Sequence, residues 1–179
     1  MYKLAKQKTF NLILVIFLLT PFNILKAEPD NGRQAIANAW KLPPLILNDL
    51  NGKEHNLYDW HGKVIMLNFW ATWCRPCQIE IPDFIKYQQQ YADKGLQVIG
   101  IGLDEVGKLR NYVRTVGINY PILQADPELQ YSLLNQWGNP FGVLPFTVVI
   151  AKDGHLIFMQ QGLFRQQAFD AYVKPLLSP

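Results

Sequence analysis

Only two cysteines occur in this 179-residue sequence, Cys74 and Cys77, three positions apart. A bridge that short constrains the unfolded chain little, because the stabilising effect of a disulfide grows with the loop it closes. The pair is therefore read for reactivity rather than for stapling. The surrounding residues, Trp73-Cys74-Arg75-Pro76-Cys77, carry the marks of a helix start. Pro76 falls in the first turn, where a missing N–H is no loss. A cysteine at a helix N-terminus meets unpaired backbone N–H groups and the positive end of the helix dipole, and both favour its thiolate. Arg75 adds a positive charge that acts in the same direction. The thiolate is the form that attacks a disulfide. The spacing then divides the labour: Cys74, at an exposed helix start, attacks, and Cys77, nearly one turn deeper, resolves the mixed disulfide. Cys74 and Cys77 together are expected to form a redox-active disulfide. A zinc site would need about four ligands. No second cysteine pair exists, and His55, His61 and His155 are scattered, so neither a metal nor a cofactor is expected.

The elements that must hold this pair can be read on either side of it. Val64–Trp70 (VIMLNFW) is a nearly continuous apolar run, as in a strand buried on both faces. It leads into a helix from Pro76 to about Tyr91, with Ile81, Phe84, Ile85 and Tyr91 at helical spacing and Pro82 expected to kink it. Leu96–Leu103 reads as a second buried strand. Glu105–Val116 reads as a helix ended by Gly117, Pro127–Trp137 as a shorter helix, and Phe164–Leu177 as a closing helix. Two hairpins are expected, Leu45–Asn48 with Glu54–Leu57 around Asn51-Gly52, and Thr147–Ile150 with Leu156–Gln161 around Asp153-Gly154. Strands alternating with helices imply an α/β domain whose sheet is partly parallel, and the hairpins make it mixed.

Composition narrows the function classes. Hydrophobic residues make up 49% of the chain, enough for a substantial core. The formal net charge is +3, but Lys3, Lys6, Lys8 and Lys26 lie in the first 27 residues, which hold no acid, so the remainder carries −1. A nearly neutral body without a basic run offers no footprint for nucleic acid. Residues 1–27 read as an export signal, with a basic start, the apolar run Leu12–Leu19 and an exit at Leu25-Lys26-Ala27. Eight apolar residues fall short of the roughly 20 a spanning helix needs. An uncleaved N-terminal membrane anchor is the alternative. Residues 28–38 read as a flexible lead-in, and 39–179 as one domain. Both readings of the N-terminus put that domain outside the cytoplasm, the periplasm being the expected compartment, where disulfide chemistry is at home.

The run Asn68–Cys77 (NFWATWCRPC), with Glu80 and Pro82 after it, resembles the extracytoplasmic thioredoxin-like proteins of the TlpA/ResA type. Asn51-Gly52-Lys53, Gly62-Lys63-Val64, Tyr120-Pro121-Ile122, Gly142–Thr147 (GVLPFT) and Asp153-Gly154 extend the resemblance from about residue 42 to 177. It implies a thioredoxin fold, an N-terminal β-hairpin and a strand-and-helix insertion between Asp104 and Trp137. It also implies that Pro145 is a cis-proline facing the cysteines, with Leu144 meeting substrate; Trp73 is expected either to cover the active-site sulfur or to meet substrate. Cytoplasmic thioredoxins carry a buried Asp six residues before the first cysteine, and Asn68 stands there in this chain. Asn68 cannot take a proton, so the resemblance passes that role to Glu80, three residues after Cys77. The bland alternative for Glu80 is a solvated helix carboxylate. Trp70 is expected in the core.

The activity implied is thiol–disulfide oxidoreduction on protein substrates that carry disulfides. The favoured direction is reduction, as in cytochrome c maturation, by a monomer recharged from a membrane electron donor of the DsbD/CcdA type. Pro76 before Cys77 favours a reductase, while Arg75 pulls toward an oxidising poise. The alternatives are a dithiol oxidant that introduces disulfides and a non-enzymatic binding module on the same scaffold.

Overall fold

The computed structural model describes residues 42–126 and 128–178, so the expected signal segment and lead-in lie outside the described residues. Seven strands form one sheet: β1 (Ile46–Asp49), β2 (Glu54–Asn56), β3 (Val64–Trp70), β4 (Leu96–Gly102), β5 (Ile122–Gln124), β6 (Phe146–Ile150) and β7 (Leu156–Gln161). Their spatial order is β2-β1-β5-β4-β3-β6-β7. The centre, β3 with β4 and β4 with β5, is parallel, and every outer pairing is antiparallel. Both expected hairpins are present and occupy the two edges.

All seven residues of β3 are buried, and their alternation sorts them onto two cores. Val64, Met66 and Trp70 pack on one face with α1 (Arg75–Tyr91), with Leu109 of α2 (Val106–Val116) and with Phe164, Phe169 and Val173 of the closing segment. Ile65, Leu67 and Phe69 pack on the other face with Trp137 and with Leu134 of α3 (Gln130–Gln136). The sheet is a thioredoxin-type layer covered on both sides. Trp70 is fully buried, as expected.

Strand β4 carries glycine where neighbouring side chains lie across it. An added Cβ at Gly100 would lie 2.5 Å from Ile122 Cδ1 and 2.9 Å from Trp70 Nε1, and one at Gly102 would lie 2.6 Å from Leu109. In α1 the chain runs on as helix through Pro82, whose missing N–H withdraws one bond from the Gln78 carbonyl.

Several boundaries differ from the sequence reading, each for a local reason. Leu57 leaves the second strand and opens a one-turn 3-10 helix, because Asn56 caps it and Asp59 accepts from the Asn56 N–H. The helix expected from Pro127 begins only at Gln130: Asp126 takes the N–H groups of Glu128 and Leu129 into a turn first. The short strand β5 precedes it, in the segment where the resemblance placed an inserted strand and helix. The closing helix is the largest correction. Instead of one helix over 164–177, the chain makes a turn of α-helix at Gln166–Ala168, a π-helical stretch at Phe169–Val173 and a 3-10 turn at Lys174–Leu176. Phe169 stacks on Tyr87 at 3.9 Å and Tyr172 on Phe158 at 3.8 Å. Holding both contacts goes with a widened helix, and Pro175 cannot donate the next helical bond.

Candidate active site

The sheet delivers the cysteines at the carboxyl end of its central strand. β3 ends at Trp70, and Cys74 is the N-cap of α1 in extended backbone conformation (φ −80°, ψ 100°). Cys74 and Cys77 are joined as a disulfide. The Cys77 N–H donates to Cys74 Sγ at 3.3 Å, so a free N-terminal amide of the helix already points at the sulfur expected to carry negative charge. The intervening loop is pinned. Gln78 Nε2 donates to the Thr72 carbonyl at 2.7 Å, and the Thr72 hydroxyl donates to Asp104 just beyond β4. Burial works against the Asp104 carboxylate, but bonds from Thr72 and the Glu105 N–H, together with Lys108, hold its pKa below the ordinary value.

Cys74 is less exposed than its place at a helix start suggests, and that expectation is corrected: it is 5% accessible against 0% for Cys77. Nearly all of Cys74 is covered, while Trp73, Arg75 and Pro76 beside it stand exposed. The order of access matches the spacing, and the opening is narrow.

Glu80 lies one turn beyond Cys77 on the same helix face and is 2% accessible, which removes the reading of a solvated carboxylate. Its two oxygens are each claimed. Asn68 Nδ2 donates to Oε1 at 2.7 Å, and the Phe164 N–H donates to Oε2 at 2.8 Å. Asn68 also donates to Thr147 Oγ1 at 3.1 Å, from the position opposite it on β6. Burial raises the Glu80 pKa to about 7, and the bonds from Phe164 and Asn68 oppose that rise only in part. Tyr120 is buried in the same core, its phenol pushed above its ordinary value by burial and then by the Glu80 charge.

The Leu144–Pro145 peptide is cis. Pro145 immediately precedes β6, whose Phe146 pairs with Phe69, so the proline reaches the sheet end from which the cysteines emerge. Leu144 is half-buried against both cores, and Trp73 is 66% exposed.

The comparisons with known proteins agree with this architecture. Residues 37–159 match the AhpC/TSA family. A thiol-disulfide oxidoreductase ResA from Geobacillus thermodenitrificans is 32% identical over 143 residues, 79% of each chain. The chain belongs to the AhpC/TSA family, among its ResA-type thiol–disulfide oxidoreductases. ResA from Bacillus subtilis is 28% identical over 169 residues, 94% of this chain and 90% of that one. Among solved structures, a thioredoxin-family thiol:disulfide interchange protein from Chlorobium tepidum TLS aligns with a TM-score of 0.65. It is 31% identical and is covered over 93% of its length by 75% of this chain. A secreted thiol-disulfide isomerase from Corynebacterium glutamicum aligns with a TM-score of 0.67 at 26% identity, over 76% of this chain and 84% of that one.

The activity of this ResA-type chain is thus thiol–disulfide oxidoreduction, with Cys74 and Cys77 as its only cysteines. Sequence reasoning misses two members of the site. It treats Asn68 only as a residue unable to accept a proton, and not as the donor that grips Glu80. The Phe164 N–H, 84 residues from Glu80, gives no signal at all.

Proposed function

We propose that this protein reduces disulfides of exported proteins outside the cytoplasm, with Cys74 as nucleophile, Cys77 as resolving thiol and Glu80 as the base that serves Cys77. The observation that carries the reading is the Cys77 N–H directed at Cys74 Sγ, with a buried carboxylate one turn below. In the reduced enzyme that amide and the helix end lower the cost of the Cys74 thiolate. The thiolate attacks one sulfur of a client disulfide, forming the Cys74–client bond and expelling a client thiolate, which takes a proton from water. Cys77 then transfers its proton to Glu80, and its sulfur attacks Cys74 Sγ. The Cys74–client bond breaks, the second client thiolate leaves, and the Cys74–Cys77 disulfide closes. Two electrons pass from the pair to the client. A bare thiolate inside this core would be expensive. A carboxylate whose pKa is about 7 is matched to taking that proton at neutral pH. Trp73, Leu144 and cis-Pro145 border the reacting edge and are assigned to substrate contact.

Residues 1–27 are proposed to export the chain, and among the described residues no helix is long and apolar enough to cross a membrane. A membrane thiol carrier of the DsbD/CcdA type would return the pair to the dithiol, and cytochrome c maturation is the setting that the relatedness to ResA favours. The protein is proposed to act as a monomer. Trapping tests the roles: Cys77→Ser should accumulate mixed disulfides with clients, and Cys74→Ser should trap none. Equal trapping by both variants would reverse or remove the assignment of the nucleophile. A reduction potential near the roughly −270 mV of thioredoxin supports reduction, whereas one near the roughly −120 mV of DsbA would make the protein an oxidant.

A further inference from the structure

The loop between α3 and β6 presents a large apolar side chain on a rigid mount. Phe141 is 82% exposed, and Val143 two residues on is 40% exposed. Beneath them Asn139 is fully buried and clasps Val143 from both sides: its Nδ2 donates to the Val143 carbonyl at 2.7 Å, and its Oδ1 accepts from the Val143 N–H at 3.1 Å. The Asn139 N–H is itself fixed to the Leu134 carbonyl at 2.8 Å, and the Gly142 N–H returns to the Asn139 carbonyl at 3.2 Å. Gly142 turns the chain at φ +64°, and a Cβ there would lie 2.8 Å from the ring of Tyr131, which backs the loop and is itself 67% exposed.

A lone exposed apolar residue needs no explanation. Phe141 differs because a buried amide fixes the loop backbone beside it, because exposed Val143 lies two residues on and Tyr131 backs the same loop, and because that loop runs directly into Leu144 and cis-Pro145. The loop that carries Phe141 therefore leads, within four residues, to the proline assigned to the edge at which clients react. Ordering costs that a flexible loop would meet on binding are already met here, and rigid aromatic anchors are the residues that dominate protein interfaces.

We infer that Phe141 is a specificity-determining anchor for the client, receiving an apolar side chain on the extended segment that flanks the disulfide under attack. The inference deepens the reductase reading and rests on it. The recognised partner is a polypeptide with an apolar residue beside its cystine, in contrast to one with an acidic residue there. Trp73 remains the contact at the sulfur itself, and Phe141 reads the sequence next to it.

The test uses the reduced full chain and two synthetic peptides with identical intramolecular disulfides, one flanked by Leu and the other by Asp. Wild type should reduce the Leu peptide about tenfold faster in kcat/KM, an advantage of about 1.4 kcal/mol. Phe141→Ala should bring that ratio close to one, and Phe141→Leu should restore most of it. Ile157→Ala, which removes an exposed apolar side chain on the edge strand β7, should leave the ratio at its wild-type value. Because the readout is a ratio within one variant, a general loss of thiol reactivity cancels. A wild-type ratio near one, or an unchanged ratio in Phe141→Ala, overturns the inference while leaving the reductase reading intact. Failure of wild type to reduce 5,5′-dithiobis(2-nitrobenzoate) would sink the oxidoreductase reading and this inference together.

Discussion

Replacing Glu80 with Gln should remove a pH dependence of stability that the buried carboxyl imposes on the wild type. In the folded protein the carboxyl holds its proton up to about pH 7, against an ordinary value of 4.5. Between those limits the folded state binds a proton that the unfolded chain releases, so stability falls as pH rises. The contribution is fully present below about pH 4.5 and is lost as pH passes through 7. At 1.36 kcal/mol per pKa unit, the difference amounts to about 3 kcal/mol, a large part of the roughly 5–15 kcal/mol typical of a domain. The glutamine amide does not titrate, but it has an oxygen at only one of the two positions that Asn68 Nδ2 and the Phe164 N–H address, and an NH2 group at the other. One donor is left unpaired at every pH, at a cost of about 1–3 kcal/mol.

Wild type should therefore be the more stable of the two at about pH 5, and its lead should shrink by about 3 kcal/mol by about pH 8.5. Urea unfolding of the oxidised proteins at several pH values measures the difference, and the constant offset drops out of its slope. Asn68→Ala gives a second handle. Removing that donor withdraws one of the interactions that hold the Glu80 pKa down, so the fall in stability should move to higher pH. Parallel curves for wild type and Glu80→Gln would mean that the buried carboxylate is not perturbed. The proton-transfer role given to it would then lose its physical basis.

Gly100→Ala should destabilise the protein by about 1–3 kcal/mol through overpacking, because the new methyl meets Ile122 and Trp70. A thermal midpoint indistinguishable from wild type would show that these side chains retreat freely. If residues 1–27 are an export signal, the secreted protein should begin at or near Glu28, which intact-mass spectrometry of material from the native host reads directly. A retained Met1 in the membrane fraction would establish an anchor instead.

The parts of this fold that are legible in the sequence are those governed by a local rule. The seven-residue run from Val64 to Trp70 reads as a strand covered on both faces, and Asn51-Gly52 and Asp153-Gly154 between apolar stretches signal hairpins. Cys74 and Pro76 announce the start of α1. What stays hidden depends on pairs far apart along the chain. The closing segment has helical periodicity, yet its path follows Phe169 on Tyr87 and Tyr172 on Phe158, contacts with other elements that helical periodicity does not register. The same holds at the site. Asn68 in place of an acid suggests a missing proton acceptor, and the helical offset from Cys77 points to Glu80 without fixing its environment. Burial and two donors, from β3 and from the Phe164 backbone, distinguish a poised carboxyl from a surface one. The amide at 68 and the acid at 80 are thus one arrangement. An Asp in place of Asn68 would set a second carboxylate against Glu80 in the same core, and like charges that close cannot both ionise. Asn keeps the hydrogen bond and leaves a single titrating carboxyl one helical turn from Cys77, the thiol proposed to resolve the mixed disulfide.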